Sequence, residues 1–299
     1  MTNAAIPETA PAQGGLRKWS AYLGPAISLA ILAVVLRQLW NLNWGMVWSI
    51  IPRSPLVWLV LAASYFAGPF ADWVIFRRLW GIPFSGIFPL LKKLIGNELL
   101  LGYVGEVYFY DWARRHVKME GSPFGAVKDV AILSALAGNM LTLGMIALVW
   151  RLIAQLGFGK DGTLLMTSIG IVLGTSVLIM FFRKGLLSLP RRDLWFVFTV
   201  HCLRILAGTG LTALAWHLIL PGEDIGSWML LSTIRLLLSR LPLLPNKDIA
   251  FAGITSLLVG GEVQTGVMIA MISMLIVATH VVLFIGLMLL DLVQKEKNA

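Results

Sequence analysis

Apolar residues in this chain form long runs with few polar interruptions. A helix needs roughly 20 apolar residues to cross a bilayer. Six runs reach that length, at about 21–41, 56–76, 128–150, 163–182, 194–219 and 266–290. Tryptophans lie near several of their ends, where interfacial aromatic side chains are enriched. The pattern therefore predicts an all-α membrane protein with six full transmembrane helices.

Two further apolar segments are broken by polar residues. The first extends from Gly86 to Asp111, and its polar residues are Lys92, Lys93, Asn97, Glu98 and Glu106. The second extends from Ser227 to Leu258, and its interruptions are Arg235, Arg240, Pro242, Pro245, Asn246, Lys247 and Asp248. Irregular backbone inside a membrane survives only where protein or a wet cavity covers it, because each unsatisfied group costs several kcal/mol. The broken segments are therefore the candidates for the functional site.

The basic residues between these segments predict how the chain crosses the membrane, because cytoplasmic loops collect Lys and Arg. With a cytoplasmic N-terminus, the strong basic clusters all face the cytoplasm only if both broken segments are re-entrant hairpins that enter from opposite faces. These clusters are Arg77–Arg78, Arg114–Arg115, Arg183–Lys184, Arg191–Arg192 and the C-terminal Lys295 and Lys297. Four basic residues depart from the rule: Arg37, Arg53, Arg151 and Lys160.

A shift of 142 residues superimposes the two halves of this pattern. It places the first broken segment on the second, with Lys93 on Arg235 and Glu106 on Asp248. Each half contains three full crossings, and an odd number gives the halves opposite orientation, as in the inverted repeats of many transporters. The predicted divisions are a cytoplasmic tail at 1–19, membrane half-repeats at 20–155 and 156–292, and a short cytoplasmic tail at 293–299.

Composition narrows the class of protein. Only 13% of the 299 residues are charged and the mean hydropathy is +0.82, whereas soluble domains carry about 25% charged residues. A soluble enzyme is therefore excluded. The net charge of +9 lies in short clusters and not on one basic face, which argues against a nucleic-acid partner. One cysteine, four scattered histidines and the absence of HExxH, GxSxG and P-loop motifs predict no metal and no cofactor.

The broken segments carry the candidate chemistry. Lys93, Arg235, Arg240 and Lys247 are predicted to bind an anionic headgroup, since a guanidinium at membrane depth costs roughly 2.5–3.5 kcal/mol and usually has a function. Glu106 and Asp248 would balance that charge or accept protons, and Asn97 belongs to the same set of binding residues. The structural alternative is that Lys92 and Lys93 reach the interface while pairs such as Arg235–Glu106 only join helices. Asp72 is predicted either to form an ion pair with Arg77 or Arg204 or to belong to a proton path.

Two motifs carry a family resemblance. Asn97 followed by Gly105–Glu106 and then Arg114–Arg115, and the run Leu241–Pro245 with its two prolines, resemble the transmembrane region of the lysylphosphatidylglycerol synthase superfamily, a flippase-like group. A proline of the first motif is missing, and Asn246–Lys247–Asp248 replaces the glycines of the second, which leaves the substrate open. The resemblance implies movement of a lipid with a charged headgroup, or a helper role in a lipid pathway. The aminoacyl-transferring domain is absent, so aminoacylation is not implied.

These observations predict flippase-like transport of an anionic phospholipid or lipid-linked intermediate in a bacterial inner membrane, without catalytic residues. The predicted partner is a membrane lipid, and a lipid-synthesis enzyme or a second copy of the chain are further candidates. Two alternatives stay open. One is an integral-membrane enzyme that uses Glu106 and Asp248 as an acid and base. The other is a non-catalytic scaffold of a lipid-synthesis complex.

Overall fold

The computed structural model describes residues 52–100, 104–117, 123–155, 187–240 and 263–297, some positions between 167 and 178, and Lys247, Asp248, Phe251 and Thr255. This part of the chain is helical and contains no strand. Its bounded helices are α1 (Pro55–Trp80), α2 (Ile87–Leu99), α3 (Val104–His116), α4 (Phe124–Gln155), α5 (Arg191–Ile219), α6 (Ile225–Ser239) and α7 (Val263–Lys297). A 3-10 turn at Phe84–Gly86 precedes α2.

Four of the described helices are long and apolar enough to cross a membrane. Their apolar ranges are Pro55–Trp80, Phe124–Arg151, Arg191–Ile219 and Met271–Leu292. They match the predicted spans at 56–76, 128–150, 194–219 and 266–290, so the prediction of an α-helical protein with membrane-spanning helices is confirmed for these four. The predicted span at 21–41 and the tail at 1–19 lie outside the described residues, as do most of 163–182 and the prolines Pro242 and Pro245.

The ends of the helices follow from local sequence. Pro55 occupies the first helical position of α1, where a missing N–H costs nothing. Gly81 ends α1 in the left-handed conformation (φ 66°) and its N–H donates to the Arg77 carbonyl at 2.8 Å. Asp224 caps the N-terminus of α6. Hydrogen bonds from the Ser227 hydroxyl and from the backbone N–H groups of Ser227 and Gly226 lower the pKa of the exposed Asp224 carboxyl.

The first broken segment forms two short helices that fold back on each other. Helices α2 and α3 have 13 residues each, roughly 20 Å, which is less than the 30 Å or so of a bilayer core. The Gly105 N–H donates to Asn97 Oδ1 at 2.7 Å, and Asn97 Nδ2 donates to Glu106 Oε1 at 3.1 Å. A Cβ at position 105 would overlap the Lys93 carbonyl, so only glycine permits this close approach.

Apolar clusters surround a polar centre. One joins α5, α6 and α7 around Trp216, Trp228 and Ile269. The second joins α1, α3, α4 and α5 around Phe76 and Phe109. The third joins α2 to α7. Helix α1 runs along α5, and the hydroxyl groups of Ser64 and Thr212 lie 3.1 Å apart between them. The clusters hold the helices on all sides of the polar groups described below.

A buried carboxylate joins α4 to the segment that precedes α5. Asp129 of α4 is fully buried and accepts hydrogen bonds from the backbone N–H groups of Ser188 and Leu189 at 2.6 and 2.7 Å. The neighbouring Lys128 lies 3.3 Å from the same carboxylate. This carboxylate therefore ties the segment that precedes α5 to α4.

Candidate functional site

The described helices border a cavity of about 940 Å³ that contains many charged side chains. It is bounded by residues of α1 to α7 and by Lys247, Asp248 and Phe251. All seven residues predicted to bind the substrate line it: Lys93, Asn97, Glu106, Arg235, Arg240, Lys247 and Asp248. The tertiary structure thus brings the two broken segments to one cavity, although they are far apart in sequence.

Lys93 is the centre of the polar groups supplied by the first broken segment. Its Nζ lies 2.6 Å from Asp72 Oδ2 of α1 and 3.5 Å from Glu106 Oε1 of α3. Asn97 Nδ2 donates to the same Glu106 oxygen. Asp72 therefore pairs with Lys93, and not with Arg77 or Arg204, which the sequence suggested. The ammonium group therefore joins three helices.

Arg235 and Asp248 form the corresponding pair of the second broken segment. The Arg235 Nη2 and Nε donate to Asp248 Oδ1 at 2.9 and 3.2 Å. The backbone carbonyl of Asp248 accepts from Ser273 Oγ of α7 at 2.8 Å. Arg235 and Asp248 are 13 positions apart, as are Lys93 and Glu106. The sequence suggested a pair between Arg235 and Glu106. In the structure each broken segment instead contains one pair of its own.

Arg240, just after α6, lies against α4. Its guanidinium is so close to Gly138 that a Cβ at that position would overlap it. Ser239 Oγ accepts from Arg240 Nε at 3.0 Å and from Nη2 at 2.7 Å. A glycine on α4 therefore leaves the space that the guanidinium occupies at the wall of the cavity.

Positive charge exceeds negative charge in the cavity. Among the described lining residues, the basic ones are Lys93, Lys128, Arg204, Arg235, Arg240 and Lys247, and the acidic ones are Asp72, Glu98, Glu106 and Asp248. Lys247 makes no ion pair with any described residue. Arg204 donates to Ser134 Oγ at 3.0 Å, while its buried Nε lacks a hydrogen-bond partner among the described residues. Such a surplus of donors favours an anionic ligand.

Several lining residues were not predicted as site residues. Glu98 lies next to Asn97, so its place in the broken segment was the available signal. His201 and Arg204 are one turn apart on α5, and both line the cavity. Tyr65 has no sequence signal. Its buried hydroxyl has no partner among the described groups, and its ring packs edge-on against His280 with centroids 5.2 Å apart.

The positions of Lys92, Glu106 and Asp248 do not fit the chemical roles considered for them. Lys92 forms an ion pair with Asp291 of α7 and does not line the cavity. Glu106 and Asp248 both line the cavity, but each is held by its own cation, Lys93 or Arg235. Neither carboxylate is therefore presented to the other as an acid and base.

Comparisons with protein-family models, with curated proteins and with solved structures give no match. The class of protein follows from the fold and the cavity. The four long apolar helices are those of a membrane protein, and the cavity among them carries charged groups of both signs with an excess of cations.

Proposed function

We propose that this protein moves an anionic lipid, or a lipid-linked intermediate, between the leaflets of a membrane. The observation that carries the proposal is the cation-rich cavity bordered by helices long enough to span a bilayer. Guanidinium and ammonium groups bind phosphate through charge-assisted hydrogen bonds. The headgroup would lie in the cavity while its acyl chains stay in the surrounding lipid.

The proposal includes an inverted repeat with two re-entrant hairpins. A shift of 142 residues carries α1 onto α5, α2 onto α6 and α4 onto α7. The same shift carries the Lys93–Glu106 pair onto the Arg235–Asp248 pair. Helices α2 and α3 are too short to cross the bilayer, which supports a re-entrant hairpin. Rocking of one half against the other would open the cavity to each leaflet in turn.

The basic clusters and the two motifs extend the proposal to location and family. Cytoplasmic termini and a bacterial inner membrane agree with the positions of the arginine pairs. Membership of the lysylphosphatidylglycerol synthase transmembrane group agrees with the fact that both resembling segments supply residues to the cavity. The cations that hold Glu106 and Asp248 weigh against the enzyme alternative, in which these two carboxylates would exchange protons with a substrate.

The test is lipid exchange in proteoliposomes that contain fluorescent phosphatidylglycerol in both leaflets. Wild-type protein should exchange the lipid, and Arg235→Ala/Arg240→Ala should reduce the rate at least about tenfold, because two charge-assisted contacts to phosphate are lost. The matched control is Arg191→Ala/Arg192→Ala, which removes two exposed arginines at the start of α5 that do not line the cavity. The control should keep the wild-type rate.

Three outcomes contradict the proposal. If folded wild-type protein exchanges neither phosphatidylglycerol nor any isoprenoid-linked phosphate lipid, it is not a flippase, and the scaffold alternative gains support. If the cavity double variant exchanges lipid as fast as wild type, the headgroup does not bind where we place it. If wild type converts the added lipid to a new product, the enzyme alternative is correct.

A further inference from the structure

We propose that Glu98 is the proton-binding group of the cavity and that it takes up a proton when an anionic headgroup binds. The inference rests on the proposed function and deepens it. A headgroup and a proton would cross the membrane together, so that each transfer carries one negative charge fewer than the lipid alone.

Glu98 differs from the other acidic residues of the cavity because it makes no ion pair with a cation in the described part of the chain. Asp72 and Glu106 both lie against Lys93, and Asp248 lies against Arg235. Among the described residues, Glu98 makes neither a hydrogen bond nor an ion pair. Its side chain faces the cavity, so it is an acidic group that ligand and solvent both reach.

Charged groups from several elements face Glu98. The strongest attraction comes from Lys247, with smaller contributions from Arg235 of α6 and from Arg240 just after it, while Asp248 repels it. Tyr65 of α1 lies within electrostatic reach, and His280 of α7 packs on that tyrosine ring. On α3 the facing group is Glu106, which is bound by Asn97 beside Glu98. The cations that balance Glu98 are therefore the same groups that the proposed function assigns to the headgroup.

This shared use of cations couples the headgroup to a proton. In the ligand-free cavity the charges of Lys247 and Arg240 favour the ionised form of Glu98, against the cost of its burial. A bound phosphate takes these cations and adds a negative charge nearby. Two anions close together in a medium of low dielectric repel strongly, and a carboxylate in that position gains a proton. The proton comes from water on the open side, forms an O–H bond at Glu98, and returns to water when the headgroup leaves.

The direction of the pH effect follows from linkage. A ligand that binds more tightly to the protonated form gains affinity as the pH falls, by up to about tenfold per pH unit when one proton is taken up. Lipid binding should therefore strengthen toward acidic pH. Without a titrating group at position 98, this dependence should disappear.

The experiment is calorimetric titration of the full chain in detergent with short-chain phosphatidylglycerol, in two buffers that differ in ionisation enthalpy. The phosphodiester of this lipid stays ionised near neutral pH, so proton uptake reports on the protein. Wild type should take up about one proton per bound lipid at the pH of greatest uptake. Glu98→Gln should bind lipid with almost no uptake and with an affinity independent of pH.

Two matched variants test the assignment. Glu223→Gln changes a carboxylate outside this cavity and should keep the wild-type uptake. His280→Gln should also keep it. Infrared difference spectra of the wild-type protein supply a measurement that needs no variant, since the carbonyl band of a protonated carboxylic acid shifts when H₂O is replaced by D₂O, whereas the ester carbonyl bands of the added lipid do not.

Each contrary result has a distinct meaning. The role of Glu98 is overturned if Glu98→Gln takes up as many protons as wild type, or if only His280→Gln loses the uptake. It is also overturned if lipid addition produces no carboxylic acid band. Lipid exchange by wild type without proton uptake also overturns it, but leaves the flippase function standing. Failure of folded wild type to bind or exchange phosphatidylglycerol overturns both.

Discussion

Two adjacent lysines show how differently one residue type behaves in this structure. Lys93 is buried between Asp72 and Glu106, which are themselves largely buried. Lys92 is equally buried along its stem but pairs with Asp291, whose side chain is 59% exposed. Removing one member of a buried ion pair leaves an uncompensated charge, whereas an exposed carboxylate is resolvated by water. The two positions should therefore respond very differently to the same substitution.

We expect Lys93→Met to destabilise the protein by about 3–5 kcal/mol, because two buried carboxylates lose their cation. Lys92→Met should cost about 0–1 kcal/mol, as for partly exposed pairs. Unfolding by denaturant, measured on both variants in the same detergent, compares them directly. A double substitution Lys93→Met/Asp72→Asn should recover part of the loss. Equal stability of the two single variants would mean that Lys93 does not balance the carboxylates.

At the scale of elements, the contact between α4 and the end of α6 depends on a missing side chain. Gly138 leaves the space in which the Arg240 guanidinium lies, whereas a Cβ at Gly144, two turns along the same helix, would meet nothing within 4 Å. Both glycines lie on the same helix and are six positions apart. Only the tertiary structure shows that the space beside Gly138 is filled by a guanidinium, whereas the space beside Gly144 is open.

Gly138→Ala should displace Arg240 and slow phosphatidylglycerol exchange severalfold, while Gly144→Ala should leave exchange unchanged. Both variants should be folded, because alanine is favoured over glycine inside a helix by about 1 kcal/mol. The assay is the same proteoliposome exchange, with the melting temperature of each variant as the control for folding. Equal exchange by both variants would show that the position of Arg240 is unimportant for the headgroup.

The sequence pattern located the long helices well, because the length of an apolar run is enough to predict a membrane helix. The four described spans were predictable because about 20 consecutive apolar residues have few stable arrangements other than a membrane helix. The interior of the first broken segment was less predictable. The close approach of Gly105 to Lys93 is a contact between two helices, and neither residue alone indicates that contact.

At the scale of the whole molecule, the cavity contains more cations than anions among its described residues. The ion pairs of Lys93 and Arg235 lie within the two broken segments, whereas Lys247 makes no ion pair with a described residue and acts electrostatically on Glu98. The excess positive charge of the cavity should therefore attract any anionic headgroup. It should select headgroups by net charge.

We expect exchange of phosphatidylglycerol to exceed exchange of zwitterionic phosphatidylcholine about tenfold or more, because one unpaired charge interaction corresponds to roughly 1.4 kcal/mol or above. Lys247→Ala should narrow the ratio by slowing the anionic lipid only. Competition in one set of vesicles with two fluorophores measures the ratio. Indifference of wild type to headgroup charge would contradict selection by the cavity.

The sequence by itself determined the class of protein and identified six of the charged groups in the cavity. Long apolar runs require helices in a membrane, and the rarity of charge in such segments made Lys93, Arg235, Arg240, Lys247 and the acidic residues conspicuous. Only the tertiary structure decided which charges neutralise each other and which do not. That division depends on distances between side chains from different helices, and the spacing of residues along one helix does not contain those distances. Glu98 and Asp72 illustrate it, since Glu98 faces the cavity without an ion pair to any described residue, whereas Asp72 lies against Lys93.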